Sequence, residues 1–193
     1  MKHYLDITLL PDSEVTLGFI WQKVYQQVHI ALVDNKVAEN ESAIAIAFPN
    51  YADKAYPLGN KLRLLVKEEQ RLKQLNIQHW LKRFEDYVHI SSIKAVPEPI
   101  DKYASFSRKQ FTTNSERLAR RRAKRHGESY EQALQHYEGF DDEQSTLPFI
   151  NVRSLTKDKQ FKLFIEHKIA SNMKEGKFNC YGLGKTIATV PCF

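Results

Sequence analysis

Between residues 1 and 96 the apolar side chains repeatedly change period, and the order of those changes restricts the fold more than any other feature of the chain. Tyr4, Ile7, Leu9 and Leu10 form a short run ended by Pro11-Asp12, which predicts a strand and then a turn. Over residues 14–33, Leu17, Ile20, Trp21, Val24, Val28, Ala31 and Leu32 recur at intervals of three and four, one face of an amphipathic helix. Residues 42–48 (SAIAIAF), bounded by Pro49-Asn50, and residues 61–66 (KLRLLV) read as strands. Helical spacing returns over 68–86, with Leu72, Leu75, Trp80, Leu81 and Phe84 as the buried set, and a strand at 87–90 or 93–96 closes the half. Strand, helix, strand, strand, helix, strand is the ferredoxin-like pattern, an antiparallel sheet with helices on one face. That fold serves many functions and selects none.

Two prolines in Val96-Pro97-Glu98-Pro99 favour an extended linker, so domains are expected at 1–96 and 97–193. The second half predicts a strand at 103–111, a basic helix at 114–127, a helix near 129–138 and a polar loop at 141–145. Strands at 149–153, 160–166 and near 178–181 complete it, so the whole chain reads as α+β. With 193 residues it can bury a core without staples. Cys180 and Cys192 form no CxxC pair and no disulfide framework, and are expected to be reduced thiols. No apolar run has the length of a signal peptide or a membrane span, so the expected setting is cytoplasmic with no membrane partner.

The charge is concentrated. The chain carries a net charge of +6, and six of the ten residues in RLARRRAKRH (117–126) are Arg or Lys: Arg117, Arg120, Arg121, Arg122, Lys124 and Arg125. Thr113 and Glu116 fit a capping box at the start, Ala119 and Ala123 support the helix, and Gly127 suits its end. Leu118 is nearly the only large apolar residue, so no broad apolar stripe can hold this helix, and like charges at i,i+3 and i,i+4 repel. A solvated face is the ordinary meaning of a charge run. Here almost no acid lies within it, and a polyanion would relieve the repulsion while releasing counterions. A long A-form duplex hides its major groove from side chains, but a helix can enter where the groove opens at the end of a short hairpin. Guanidinium groups there can bind guanine edges and phosphates.

Among seven histidines, His29 stands apart. It lies about 140° around the helix from Val24, at about 100° per residue, beside Gln22, Tyr25 and Gln26. It is off the apolar stripe, where position alone favours a surface histidine. His3, His79, His89, His136 and His167 take that bland reading, and His126 adds a phosphate donor to the basic helix. The chain has no HxxxH or HExxH motif, and no metal or cofactor is expected. RNA supplies its own nucleophile, the 2′-hydroxyl. Cutting at that group needs a base, for which histidine suits, hydroxyls to hold the ribose, and cationic or N–H groups for the phosphorane. Residues 180–185 (CYGLGK) join a tyrosine to a glycine loop and Lys185, which could approach a phosphate or could form a plain turn.

Taken in order and spacing, HYLDI at 3–7, His29 with ALV at 31–33, SFSRKQ at 105–110, NSERLARRRAKRH at 114–126, PFINVRSLTKDKQFKLFI at 148–165 and CYGLGK at 180–185 resemble the type I-F CRISPR-associated repeat-processing endoribonucleases over nearly the whole chain. The resemblance implies a ferredoxin-like domain followed by a domain with an arginine-rich helix. It implies metal-independent cutting at the 3′ base of a repeat hairpin, retention of the hairpin product, and partners in a type I-F surveillance complex. His29 matches the catalytic base, Ser154 the serine that holds the ribose, and Tyr181 the tyrosine that orients the site. Arg108 and Gln110 match readers of purines at the base of the stem. Arg117, Arg120, Arg121, Lys124, Arg125 and His126 fall on the groove-entering helix, Phe161 matches an aromatic contact beside the loop, and Thr156 a second hydroxyl after Ser154. Without the resemblance, two other readings stay open: an RNA-hairpin-binding assembly subunit that never cuts, and a DNA-binding regulator with the basic helix in a major groove.

Overall fold

Strand β1 (His3–Leu9) alternates as its sequence predicts, burying Leu5, Ile7 and Leu9. Its antiparallel neighbour β3 (Lys61–Val66) sets Leu64 opposite Leu5 and Leu62 opposite Ile7 on the same face. Helix α1 (Leu17–Asp34) and the short α2 (Glu69–Leu75) pack on these strands. With β2 (Ala45–Ala47) and β4 (Val88–Ile90) the sheet runs in the order β2-β3-β1-β4, antiparallel throughout, and β5 (Lys94–Ala95) pairs with the start of β1. The other face of the sheet holds a buried charge. Arg63, directly across from Asp6, meets its carboxylate twice, Nε to Oδ1 at 2.7 Å and Nη2 to Oδ2 at 2.9 Å. It also donates from Nη1 to the Phe193 carbonyl at 2.9 Å, and its guanidinium lies 4.0 Å from the Phe193 ring centroid. Burial of this cation is tolerable only because its donors are met in this way.

The structure, a computed structural model, describes residues 1–111, 115–137, 146–155, 159–184 and 187–193. A second antiparallel sheet is built from β6 (Tyr103–Lys109), β7 (Phe149–Arg153), β8 (Gln160–Ala170) and β9 (Val190–Pro191), in the order β7-β8-β6-β9. Both sheets belong to one compact unit, Met1–Lys109 with Pro148–Phe193. Gln110–Leu147 forms the other, with α4 (Ser115–His126) and α5 (Tyr130–Gln135).

The units therefore do not divide at 96/97. The physical reason is that the last third of the chain returns to the first. Ser42 N–H donates to the Phe178 carbonyl at 2.9 Å, Ile46 N–H to the Gly182 carbonyl at 2.7 Å, and the Tyr51 hydroxyl to the Ile165 carbonyl at 2.9 Å. Both prolines are simply passed on the way from one sheet to the next.

Other departures are local. The expected helix over 68–86 breaks into α2, α3 (Ile77–Leu81) and a 3-10 turn (Lys82–Tyr87), because Asn76 sits in the left-handed region at φ 45°, ψ 56°. Asparagine adopts that conformation more readily than most residues. Both candidate closing strands form, as β4 and β5. No strand forms at 178–181, where Phe178 makes single bridges to Ser42 and Gly184 on either side of a turn. The polar loop at 141–145 and Thr113 of the expected capping box lie outside the described residues.

Candidate active site

Helix α1 is buried over a wider arc than its aliphatic stripe. Ile20, Trp21, Val24, Val28 and Leu32 are covered, and so are Tyr25 and His29 one turn apart. His29 is only 5% exposed, which corrects its expected place on the surface. The cause is the second covering layer: β7 packs against α1, and the turn at 179–184 closes over Tyr25 and His29. Periodicity within one helix registers a single apolar partner and has no signal for a second one arriving from residues about 150 positions later.

That turn is tightly specified. The Asn179 side-chain oxygen accepts from the N–H of Tyr181 at 2.8 Å and of Leu183 at 3.2 Å. Gly182 N–H donates to the Asn179 carbonyl at 2.8 Å, and Gly184 N–H to the Phe106 carbonyl at 2.8 Å. Gly182 has φ +69°, and a Cβ there would stand 2.5 Å from Ile46 Cγ1. Both Gly182 and Gly184 are buried, so close packing of protein on protein accounts for them, the plain-turn alternative of the two. Lys185 lies outside the described residues. Gly182→Ala should destabilise the protein by about 1–3 kcal/mol, combining left-handed strain with overpacking. Thermal unfolding measures this, and an unchanged melting temperature would show that the turn is not held as described.

The turn presents two groups to α1. The Cys180 carbonyl lies 2.9 Å from His29 Nδ1, and the Tyr181 carbonyl accepts from the Tyr25 hydroxyl at 2.9 Å. A carbonyl only accepts, so Nδ1 carries the proton and Nε2 is the basic nitrogen of the neutral ring. The Tyr181 ring lies flat on the imidazole, centroids 4.1 Å apart and planes 10° apart. Burial holds the His29 pKa below the ordinary imidazole value, against the opposing pull of the Cys180 carbonyl. Burial raises the Tyr181 phenol, with the Arg108 charge working the other way. At neutral pH the pair is therefore a neutral imidazole against a neutral phenol.

The ring contacts continue outward. Phe161 of β8 stands edge-on to Tyr181 at 6.3 Å and 90°, and the Arg108 guanidinium at the end of β6 sits 5.0 Å from the Phe161 centroid and 6.0 Å from that of Tyr181. Four of the expected residues, His29, Tyr181, Phe161 and Arg108, thus form one connected set from four segments distant in sequence. Ser154 follows the last residue of β7, and its N–H donates to the Lys159 carbonyl at 2.9 Å. Arg153 beside it is gripped by Gln26 of α1 at both backbone groups, N–H to Oε1 at 2.8 Å and carbonyl from Nε2 at 3.2 Å. Gln26 and the Cys180 carbonyl were not anticipated as parts of the site. Their only sequence signal is Gln26's place one turn before His29. Thr156 lies outside the described residues. Among the described residues no group of three or more His, Cys, Asp or Glu side chains is placed to hold a metal ion, and no helix is long and apolar enough to cross a membrane.

The basic run at 117–126 belongs to the other unit. Gln110 is exposed at its start. Helix α4 packs on α5, whose Ser129–Gln132 capping box is complete, and Ala119 and Ala133 are fully buried, small enough to let two helices approach closely. Arg120 pairs with Glu116 at 3.0 Å. Arg122 Nε lies 2.7 Å from Glu128 Oε1, as a close ion pair without hydrogen-bond alignment, and its Nη2 donates to His136 Nε2 at 3.1 Å. The repulsion within the run is thus relieved from both flanks more than the run alone suggests. Arg117 and Arg120 are exposed, and so are Arg121, Lys124, Arg125 and His126. Arg121, Lys124 and Arg125 have no acidic partner among the described residues. With Leu118, Arg122 and Tyr137, three of these exposed residues, Arg121, Arg125 and His126, line a hollow of about 490 Å³.

The family model of the CRISPR-associated protein Cas_Csy4 matches residues 4–193. The chain is 34% identical over 186 residues, 96% of each chain, to a Pseudomonas aeruginosa protein named CRISPR-associated endonuclease Cas6/Csy4. It is 34% identical over 194 residues, 100% of each chain, to an Escherichia coli protein of the same name.

Proposed function

The chain belongs to the CRISPR-associated Cas_Csy4 family, and on that premise we propose that it is an endoribonuclease that cuts CRISPR precursor RNA at the 3′ base of each repeat hairpin and keeps the hairpin product. The observation that carries the proposal is the His29–Tyr181 pair: an imidazole with Nδ1–H anchored on a backbone carbonyl and one face covered by a phenol ring. Such a ring has one tautomer, one orientation and a lowered pKa, which suits it to the work of a general base.

The reaction follows from that base. His29 Nε2 takes the proton of the ribose 2′-hydroxyl. The 2′-oxygen then forms a bond to the adjacent phosphorus, and the P–O5′ bond breaks. The 5′-oxygen leaves with a proton, giving a 2′,3′-cyclic phosphate and a 5′-hydroxyl. Tyr181 keeps the imidazole in plane. Ser154, on a backbone tied to the same helix through Arg153, holds the ribose. Arg108, propped on Phe161, and Gln110 read the purines at the base of the stem. Arg117, Arg120, Arg121, Lys124, Arg125 and His126 grip the hairpin groove, with Phe161 and Thr156 as further RNA contacts. A ferredoxin-like reading of residues 1–96 is supported by the order β1, α1, β2, β3, α2, β4 in an antiparallel sheet. The same reading makes the other subunits of a type I-F surveillance complex its protein partners, in the cytoplasm.

Incubation of purified protein with a short repeat-hairpin RNA in excess chelator should yield one cut at the 3′ base of the stem, resolved on a denaturing gel. Tight binding with no cut would favour the non-cutting assembly subunit. A cut that appears only when a divalent metal is restored would overturn the metal-independent mechanism.

A further inference from the structure

We infer that Gln26 is a positioning residue for the cutting reaction, setting Ser154 against His29 by clamping the backbone of Arg153. This rests on the proposed roles of His29 and Ser154. The primary amide of Gln26 offers an NH2 donor group and a carbonyl acceptor side by side, and both meet a single residue: Arg153 N–H donates to Oε1 at 2.8 Å, and Nε2 donates to the Arg153 carbonyl at 3.2 Å. The pair copies the pattern by which a neighbouring strand would grip Arg153, at the end of β7 where the ladder to β8 stops at Arg153 and Gln160. One residue later the chain is fixed again, by Ser154 N–H on the Lys159 carbonyl at 2.9 Å.

Gln26 and His29 are three residues apart on α1, neighbours on one side of the helix. One rigid element therefore carries the base and also holds the backbone that bears the ribose-holding hydroxyl. Their separation is set by one helical turn and two hydrogen bonds. A loop alone would leave it loose by amounts that matter, because a misplacement of about 1 Å can cost about 100-fold in rate. Gln26 touches none of the reacting atoms, so its effect must pass through Ser154.

The experiment is a double-mutant cycle on single-turnover cutting of a repeat hairpin, with hairpin affinity and thermal unfolding measured alongside. Gln26→Leu, close in size and unable to make either bond, should slow cutting by about 10- to 100-fold. It should leave the hairpin Kd within about threefold and the melting temperature near the parental value, whereas a merely structural role would move all three together. Gln26→Glu keeps the acceptor for Arg153 N–H but faces the carbonyl with a carboxylate, and should fall between. Gln26→Leu combined with Ser154→Ala should cut no slower than Ser154→Ala alone. Parental cutting by Gln26→Leu beside an impaired Ser154→Ala overturns the inference and leaves the mechanism intact. Full additivity of the two losses also overturns it. Parental cutting by Ser154→Ala overturns both this inference and the role of Ser154 on which it rests.

Discussion

His29→Ala should bind the repeat hairpin with near-parental affinity and cut it at least about 10²- to 10⁴-fold more slowly, the range that loss of a general base produces. Binding should survive because the cationic side chains proposed to meet phosphate lie on α4, in the unit Gln110–Leu147, while His29 lies on α1 in the other. Electrostatic neutralisation of phosphates dominates affinity for nucleic acid and does not depend on an uncharged imidazole. Loss of the ring also removes the hydrogen bond to the Cys180 carbonyl and the stacking on Tyr181, so a modest loss of stability is expected beside the loss of rate. His29→Gln, which can still donate to that carbonyl, separates the two effects: it should regain stability without regaining cutting. The pH dependence gives an independent check. The base works only when neutral, and burial lowers the His29 pKa. Protonation is therefore resisted, and the acid limb of the single-turnover cutting rate at sub-saturating protein should have its midpoint below about 6.5, the ordinary imidazole value. A variant that still cuts, or an acid limb above that value, would remove His29 from the role of base.

Sequence patterning and the folded chain agree where a signal is local. β1, α1, β3, β6, β7 and α4 all form within a few residues of their expected bounds, since each carries its own period or its own charge run. Disagreement appears where one segment's environment is made by another. Tyr25 and His29 are exposed by the periodicity of α1 and covered by the turn at 179–184. Arg63 interrupts an apolar strand and gives no hint, within KLRLLV, that Asp6 and the Phe193 carbonyl meet it. The proline pair looks like a boundary because prolines favour extended chain, yet hydrogen bonds that cross from residues 42–51 to 165–182 bind both sheets into one unit. The same distinction holds in the site. Residue identity and resemblance pick out His29, Ser154 and Tyr181. The groups that tie their segments to α1 are the Cys180 carbonyl, the Tyr181 carbonyl and the backbone of Arg153, all main-chain atoms that no side-chain motif records.

A 2′-deoxy substitution in the nucleotide immediately 5′ of the scissile phosphate should abolish cutting while the hairpin remains tightly bound, the largest effect expected from any single change. The nucleophile in the proposed reaction is the substrate's own 2′-oxygen. Its removal takes away the atom that forms the new bond to phosphorus, whereas loss of His29, Ser154 or Tyr181 only raises the barrier to forming it. The 2′-hydroxyl is held close to its phosphorus by the ribose itself, so the protein's share is to align the two and to take one proton. Two neutral rings stacked in a covered site can do that without a charged partner. The deoxy hairpin should therefore compete with the all-ribose hairpin for binding at near-equal affinity, because one hydroxyl among many phosphate contacts contributes little to the electrostatic total. Denaturing gels and competition binding, both in excess chelator, measure the two quantities. Residual cutting at the same phosphate would require water or another external nucleophile and would overturn the 2′-hydroxyl mechanism, even if His29 had already proved indispensable.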